Sequence, residues 1–327
     1  DENRLNPGGE GCSELRLHHC TSAWVTGLNP EDLYLANTKI LDDPRMHGLT
    51  LVIALSSPQD AGSTAGQLGQ VLLSELKNIE IVEFDSDQLH NYRARRPYIR
   101  YEKDHFETPQ YPQLKLYAVE DSLDKPFLLL TGAEPDLQWQ RFEKAVLTIA
   151  QRVKPSLVVL VSAFPMPVPH TRPFPITAHG SRKDLIHGIS PWKPSADVHA
   201  TVTNLLEVLF TENGIDTVGF GVNIPQYISE ADLPQGTLTA LEHVGMAAHL
   251  SLPTENLREA ARHVHSQIND QVKQNPEIGR MITAMEENYD ENFRTSDIAI
   301  PLSRRDAHNV PSRDEIGALF ERFLDEQ

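Results

Sequence analysis

From Leu49 to Val222, short uninterrupted apolar runs alternate with longer stretches whose apolar residues recur at helical spacing, and this alternation limits the folds open to the chain. Leu49–Leu55 (LTLVIAL), Phe127–Leu130 (FLLL) and Leu157–Val161 (LVVLV) are too short for helices and have no polar face. Strands covered on both faces have this character. Ile79–Phe84, Leu114–Val119 and Thr217–Val222 read as further strands, and Tyr98–Tyr101 as another. Between them, Ala61–Leu76, Asp136–Val153 and Ala196–Phe210 carry helical apolar stripes, for example Phe142, Val146, Leu147 and Ile149. Leu49–Phe84 therefore has the size of a parallel β-α-β unit. The expected fold class is α/β, a three-layer α/β/α sandwich.

Past Pro234 the pattern turns helical. Leu238–Leu250, a stripe through Leu257, Ala261, Val264, Ile268 and Val272, and another through Ile278, Met281, Ile282 and Met285 mark three helices. A last helix opens with Ser312-x-x-Glu315, a capping box, and places Ile316, Leu319, Phe320 and Phe323 on one side. The expected division is an irregular segment 1–45, rich in breakers such as Asn6-Pro7-Gly8-Gly9, an α/β core 46–232, and a mainly helical segment 233–327 packed on the core. Thr295–Pro311 reads as a polar linker.

At 39% hydrophobic residues over 327 positions, the chain can bury a large core. Its formal charge of −17 argues against nucleic acid, because phosphate contacts need clustered Lys and Arg, and the basic patches Arg93, Arg95, Arg96, Arg100 and Arg304–Arg305 are short. No apolar run approaches the about 20 residues needed to cross a bilayer, and residues 1–11 lack the apolar stretch of a signal peptide, so no membrane association and a cytoplasmic location are expected. Cys12 and Cys20 sit beside His18 and His19, but C-x7-C is not a zinc spacing and no second cysteine pair completes four ligands. No metal and no cofactor are expected.

In open α/β sheets, ligands gather outside the carboxyl ends of the strands. If the strands are parallel, Asp60, Glu134, His170, Arg172 and Asn223 converge on one rim. Carboxylate, imidazole and guanidinium are the parts of an acid/base or anion site. The same residues also suit structural roles: Asp60 and Thr131 as helix caps, Pro135 at a first helical position, and Arg172 paired with Glu134 to pin two loops. No G-x-S-x-G, H-E-x-x-H or complete phosphate-binding glycine motif accompanies them. His263 and His265 fall on opposite sides of a helix and cannot share a metal.

The blocks DAGSTAG (Asp60–Gly66, with Gly62), RRPYIR (Arg95–Arg100), GAEPDLQW (Gly132–Trp139, with Pro135) and VPHTRPFPIT (Val168–Thr177, with Pro169, Thr171 and Pro173), followed by Asn223-Ile224-Pro225-Gln226-Tyr227, resemble the proteasome assembly chaperone 2 family in its bacterial, actinobacterial-type branch. The similarity runs from about Leu49 to Tyr289, roughly three quarters of the chain. One departure is Ser56-Ser57-Pro58-Gln59, where family members often carry Gly-Trp. The resemblance implies a phosphorylase/hydrolase-like fold and self-association, with a trimer among the expected forms and proteasome subunits among the expected partners. Two functions follow. A non-enzymatic, homo-oligomeric assembly or scaffold protein is the favoured expectation. The alternative is a hydrolase or phosphorylase-type enzyme with Asp60 or Glu134 as base or anchor, His170 as acid/base and Arg172 as anion clamp.

Overall fold

The computed structural model describes residues 29–190 and 197–294. Ten strands are present among them: β1 (Tyr34–Ala36), β2 (Thr50–Ser56), β3 (Asn78–Phe84), β4 (Tyr101–Glu102), β5 (His105–Phe106), β6 (Leu114–Glu120), β7 (Pro126–Ala133), β8 (Leu157–Met166), β9 (Ile176–Gly180) and β10 (Thr217–Pro225). The helices are α1 (Thr38–Leu41), α2 (Thr64–Glu75), α3 (Ser86–Leu89), α4 (Trp139–Val153), α5 (Lys183–Ile186), α6 (Val202–Glu212), α7 (Pro234–Ala248), α8 (Glu255–Lys273) and α9 (Pro276–Arg294).

Eight strands form one mixed sheet in the order β1-β3-β6-β7-β2-β8-β10-β9. The centre, β7-β2-β8-β10, is parallel, and the flanks join antiparallel: β6 to β7, β3 to β6, β1 to β3 and β9 to β10. Both faces of the centre are covered, which explains the unbroken apolar runs. Val52, Ala54, Leu129, Val159 and Val161 face Leu68 and Leu72 of α2 and Leu241 and Val244 of α7. Their neighbours Leu51, Ile53, Leu128, Leu130, Val158 and Leu160 face Phe142, Val146 and Ile149 of α4 and Leu206 and Phe210 of α6. Each of the fully buried rings Phe142 and Phe210 stabilises the fold by about 2–3 kcal/mol of transfer free energy. The three-layer α/β sandwich expected from the alternation is the observed architecture, with α7–α9 following the sheet.

Several elements differ from their sequence-based expectation. β3 runs in the same direction as β2, but β6 and β7 lie between them, so Leu49–Phe84 is not a unit of adjacent parallel strands. The stretch around Tyr98–Tyr101 stays out of the main sheet; Tyr101–Glu102 pairs only with His105–Phe106 in a small hairpin. α6 begins at Val202 rather than near Ala196, because Thr201 and Asn204 form a reciprocal capping box that fixes the start there. Val198 is accordingly outside the helix and 79% exposed. α4 begins at Trp139 rather than Asp136, since Gln138 is left-handed and the Asp136 carboxylate accepts the Asn91 N–H at 2.9 Å. Within the stretch expected to be irregular, Tyr34–Ala36 pairs with β3 as an edge strand. The capping-box helix at 312–323 and the cysteines Cys12 and Cys20 lie outside the described residues.

Candidate functional site

The carboxyl ends of β2, β7, β8 and β10 open onto one rim, because these four strands are parallel. The loops carrying Asp60, Glu134, His170 and Arg172 therefore lie along that rim, as their spacing predicts. Each of these side chains, however, bonds to a different set of neighbours.

Asp60 follows β2 and caps α2. Its Oδ1 accepts the Ala65 N–H at 2.9 Å and its Oδ2 accepts the Gly66 N–H at 2.9 Å. The turn between them runs through Gly62, whose φ of +67° suits glycine alone at low cost. The Gly62 N–H donates to the Ser229 carbonyl at 2.7 Å, and the Leu233 N–H donates to the Gly62 carbonyl at 3.0 Å. This joins the β2–α2 loop to the β10–α7 loop. Burial pushes the Asp60 carboxyl up to about 6, against the pull of the backbone N–H groups of Ala65, Gly66 and Thr64.

Glu134 follows β7 and serves the opposite helical layer. Its Oε1 accepts the Val202 N–H at 2.6 Å, at the first residue of α6. Burial raises its pKa, while the Val202 N–H and the nearby Arg95 lower it. Arg95 donates to the Glu134 carbonyl and pairs with Asp136 at 3.3 Å. Gly132 leads into this turn with φ +130°, and a Cβ there would lie 2.0 Å from the Gln113 carbonyl oxygen. Pro135 is not a first helical residue; its carbonyl accepts the Trp139 indole N–H at 2.6 Å, which seats the ring at the start of α4. Thr131 is not a cap either, because it lies within β7.

The loop after β8, Pro169-His170-Thr171-Arg172-Pro173, is held by the C-terminal helices. Pro169 and His170 are buried. The Tyr227 hydroxyl accepts the His170 backbone N–H at 2.8 Å and sits 2.6 Å from its Nδ1, while Nε2 lies 3.0 Å from Asn269 Oδ1 on α8. An amide oxygen only accepts, so Nε2 carries the proton and Nδ1 accepts the Tyr227 O–H. Burial lowers the His170 pKa and favours the neutral imidazole. Tyr227 is itself pushed up to about 12 by burial. Arg172 does not reach Glu134. It forms a two-point pair with Asp290 at 3.0 Å on each arm and reaches Glu286 at 3.1 Å, both on α9. Thr171 Oγ1 also donates to Glu286, and the Tyr289 hydroxyl donates to the Pro173 carbonyl at 2.8 Å. Asn223 lies inside β10 rather than after it, buried and bonded through its Nδ2 to Thr177 Oγ1 on β9 at 3.2 Å.

Two groups carried no sequence signal. Asn269, on a polar helix face, completes the His170 network. His90 is 3% exposed, with neither ring nitrogen hydrogen-bonded among the described residues and Nδ1 3.9 Å from Asp136 Oδ2. Burial lowers its pKa, as does Arg95. Among the described residues no group of three His, Cys, Asp or Glu side chains is arranged to hold a metal ion. A cavity of about 390 Å³ lined by Lys154, Asn213 and Asp216 lies at the opposite end of the strands from the rim.

Comparison with known proteins gives this arrangement a context. The PAC2 family model matches residues 54–272. A Mycobacterium tuberculosis protein of unknown function is 35% identical, with a TM-score of 0.76, over 80% of this chain and 90% of that one. A Corynebacterium glutamicum protein of unknown function is 34% identical, with a TM-score of 0.73, over 76% of this chain and 92% of that one. The Mycobacterium tuberculosis proteasome-assembly chaperone homologue shares the fold at 23% identity, with a TM-score of 0.65, over 72% of this chain and all (100%) of that one. No curated protein matches the chain. Among the described residues no helix is long and apolar enough to cross a membrane.

Proposed function

The chain belongs to the PAC2 family, and from that premise we propose that it is a non-enzymatic assembly protein of the cytoplasm. It acts through protein surfaces, as a homo-oligomer with a trimer as the expected form, and proteasome subunits are its expected partners. One observation carries this reading. The rim groups that would perform chemistry are engaged in joining loops to helices: Asp60 holds α2, Glu134 holds α6, His170 has both ring nitrogens bonded, and Arg172 is clamped to α9. A general acid/base must reach a substrate proton, and these groups are bonded to neighbouring helices and loops instead. The similarity to a solved proteasome-assembly chaperone homologue supports the choice of partner.

The test is to mix the purified protein with separately purified proteasome α subunits and follow mass by light scattering. A defined complex, with faster ring formation, is the expected outcome. Failure to bind any subunit, together with turnover of a small ligand, overturns the proposal.

A second reading, a hydrolase or phosphorylase-type enzyme, is favoured by the Asp60 carboxyl, whose pKa of about 6 suits a base working near neutral pH. It calls for a thermal-shift panel of phosphate, nucleosides, nucleotides and small acids. A stabilisation that Asp60→Asn removes selects the enzyme, and a flat panel selects the assembly protein.

A further inference from the structure

Residues 91–112 form an arm that leaves the same rim, since the N–H of Ala133, at the end of β7, donates to the Gln113 carbonyl at 2.8 Å. The arm exposes large rings to an unusual extent: Tyr98 is 86% exposed, Phe106 65%, Tyr101 60% and Tyr111 53%. A folded chain seldom gathers this much bare aromatic surface without an occupant for it. The rings are preorganised in pairs, Tyr101 with Phe106 at 5.0 Å and Tyr92 with Tyr111 at 5.5 Å between centroids. The arm is also where the basic residues of this acidic chain cluster. Glu102 and Asp104 are taken by Arg100 and His105, whereas Arg93 and Arg96 have no ion-pair partner among the described residues.

The chain carries a segment of matching chemistry. Ser312–Gln327 has five acidic side chains (Asp314, Glu315, Glu321, Asp325, Glu326) against two basic ones (Arg313, Arg322), and its apolar residues Ile316, Leu319, Phe320 and Phe323 follow i, i+3, i+4, i+7 spacing. Reach is sufficient. α9 is anchored to the loop after β8, and only β2 separates β7 from β8 in the sheet, about 10 Å across at the strand spacing of parallel neighbours. The 17 residues from Thr295 to Pro311 can extend roughly 55 Å. We propose that the acidic amphipathic segment 312–323 docks on the aromatic and basic arm, its apolar side on Tyr98, Tyr101 and Phe106 and its carboxylates toward Arg93 and Arg96. An apolar stripe bordered by charge suits an exposed aromatic surface of opposite charge. It stands independently of any proteasome partner.

Hydrogen–deuterium exchange on the full-length protein tests it. Exchange across 98–106 is expected to be about tenfold slower in the wild type than in Leu319→Asp/Phe320→Asp, since a contact made roughly nine times in ten leaves the amides open one time in ten. Raising salt to about 0.5 M is expected to erode the protection by screening the charges. The reciprocal variant, Arg93→Glu/Arg96→Glu, is expected to speed exchange at 316–323, and adding Asp314→Arg/Glu315→Arg to restore it. Protection independent of protein concentration places the contact within one chain, and concentration-dependent protection places it between copies. Equal exchange at 98–106 in wild type and tail variant overturns the proposal, as does protection that ignores the tail. Neither result bears on subunit binding, so the two proposals fail separately.

Discussion

At the scale of the residue, the His170–Tyr227 contact is the most informative, because one hydroxyl both accepts the His170 backbone N–H and donates to Nδ1. Tyr227→Phe strands both partners in a buried site and is expected to cost about 1–3 kcal/mol, read as a lower urea midpoint at unchanged m-value. The pH dependence has two components of opposite sign. The His170 pKa is depressed on folding, so its contribution is whole above 6.5, the value of a free imidazole, and is lost as pH falls toward the lower folded value. The Asp60 pKa is raised from 3.8 to about 6, so its contribution is whole below 3.8 and is lost as pH rises through 6. Urea titrations of wild type and Asp60→Asn at pH 4 and pH 8 separate the two. Between those pH values the wild type is expected to lose on the order of 2–3 kcal/mol relative to the variant. A pH-independent difference would mean that the carboxylate is ionised throughout. Both residues were legible in the sequence as polar groups just past apolar strands. Their bonding was not, because Asn269 comes from a helix 99 positions away from His170.

At the scale of the element, α9 depends on a few side chains for its attachment. Its attachment to the loop after β8 combines the Arg172 pairs with Asp290 and Glu286, the Tyr289 bond to Pro173, and the buried side chains of Ile282 and Tyr289. Arg172→Ala leaves two carboxylates facing each other and is expected to cost about 2–4 kcal/mol. The loss should be local: amide exchange in 276–291 should accelerate while the central strands stay protected. Slow exchange in α9 of that variant would show that apolar contacts alone hold the helix. At the other end of the rim, Gly132→Ala forces a left-handed residue and a Cβ into the Gln113 carbonyl, with an expected cost above about 2 kcal/mol in a denaturant titration. Helix starts were partly readable. Thr201 and Asn204 are a capping pair in plain sight, yet the apolar Val198 upstream suggested an earlier beginning.

For the whole molecule, an acidic surface with one aromatic and basic arm divides charge unevenly, which favours oriented contacts between proteins over nonspecific ones. Light scattering of the purified protein is expected to give three times the monomer mass, and a monomer at all concentrations would remove the self-association part of the proposal. The sequence by itself determined the α/β class, the four central strands, the helices α7–α9 and the family, because each rests on a local pattern: unbroken apolar runs, helical stripes, and the PHTRP and G-x-E-P-x-x-x-W blocks. Only the tertiary structure decided the strand order and the partners of the rim. Strand direction and neighbourhood depend on where each crossover lands, and no run of residues records that β6 and β7 separate β2 from β3. The expected pairing of Arg172 with Glu134 failed for the same reason. Opposite charges on two neighbouring loops looked complementary, but α9 brings Asp290 and Glu286 more than 110 positions along the chain to Arg172, and a two-point carboxylate prevails over a distant one.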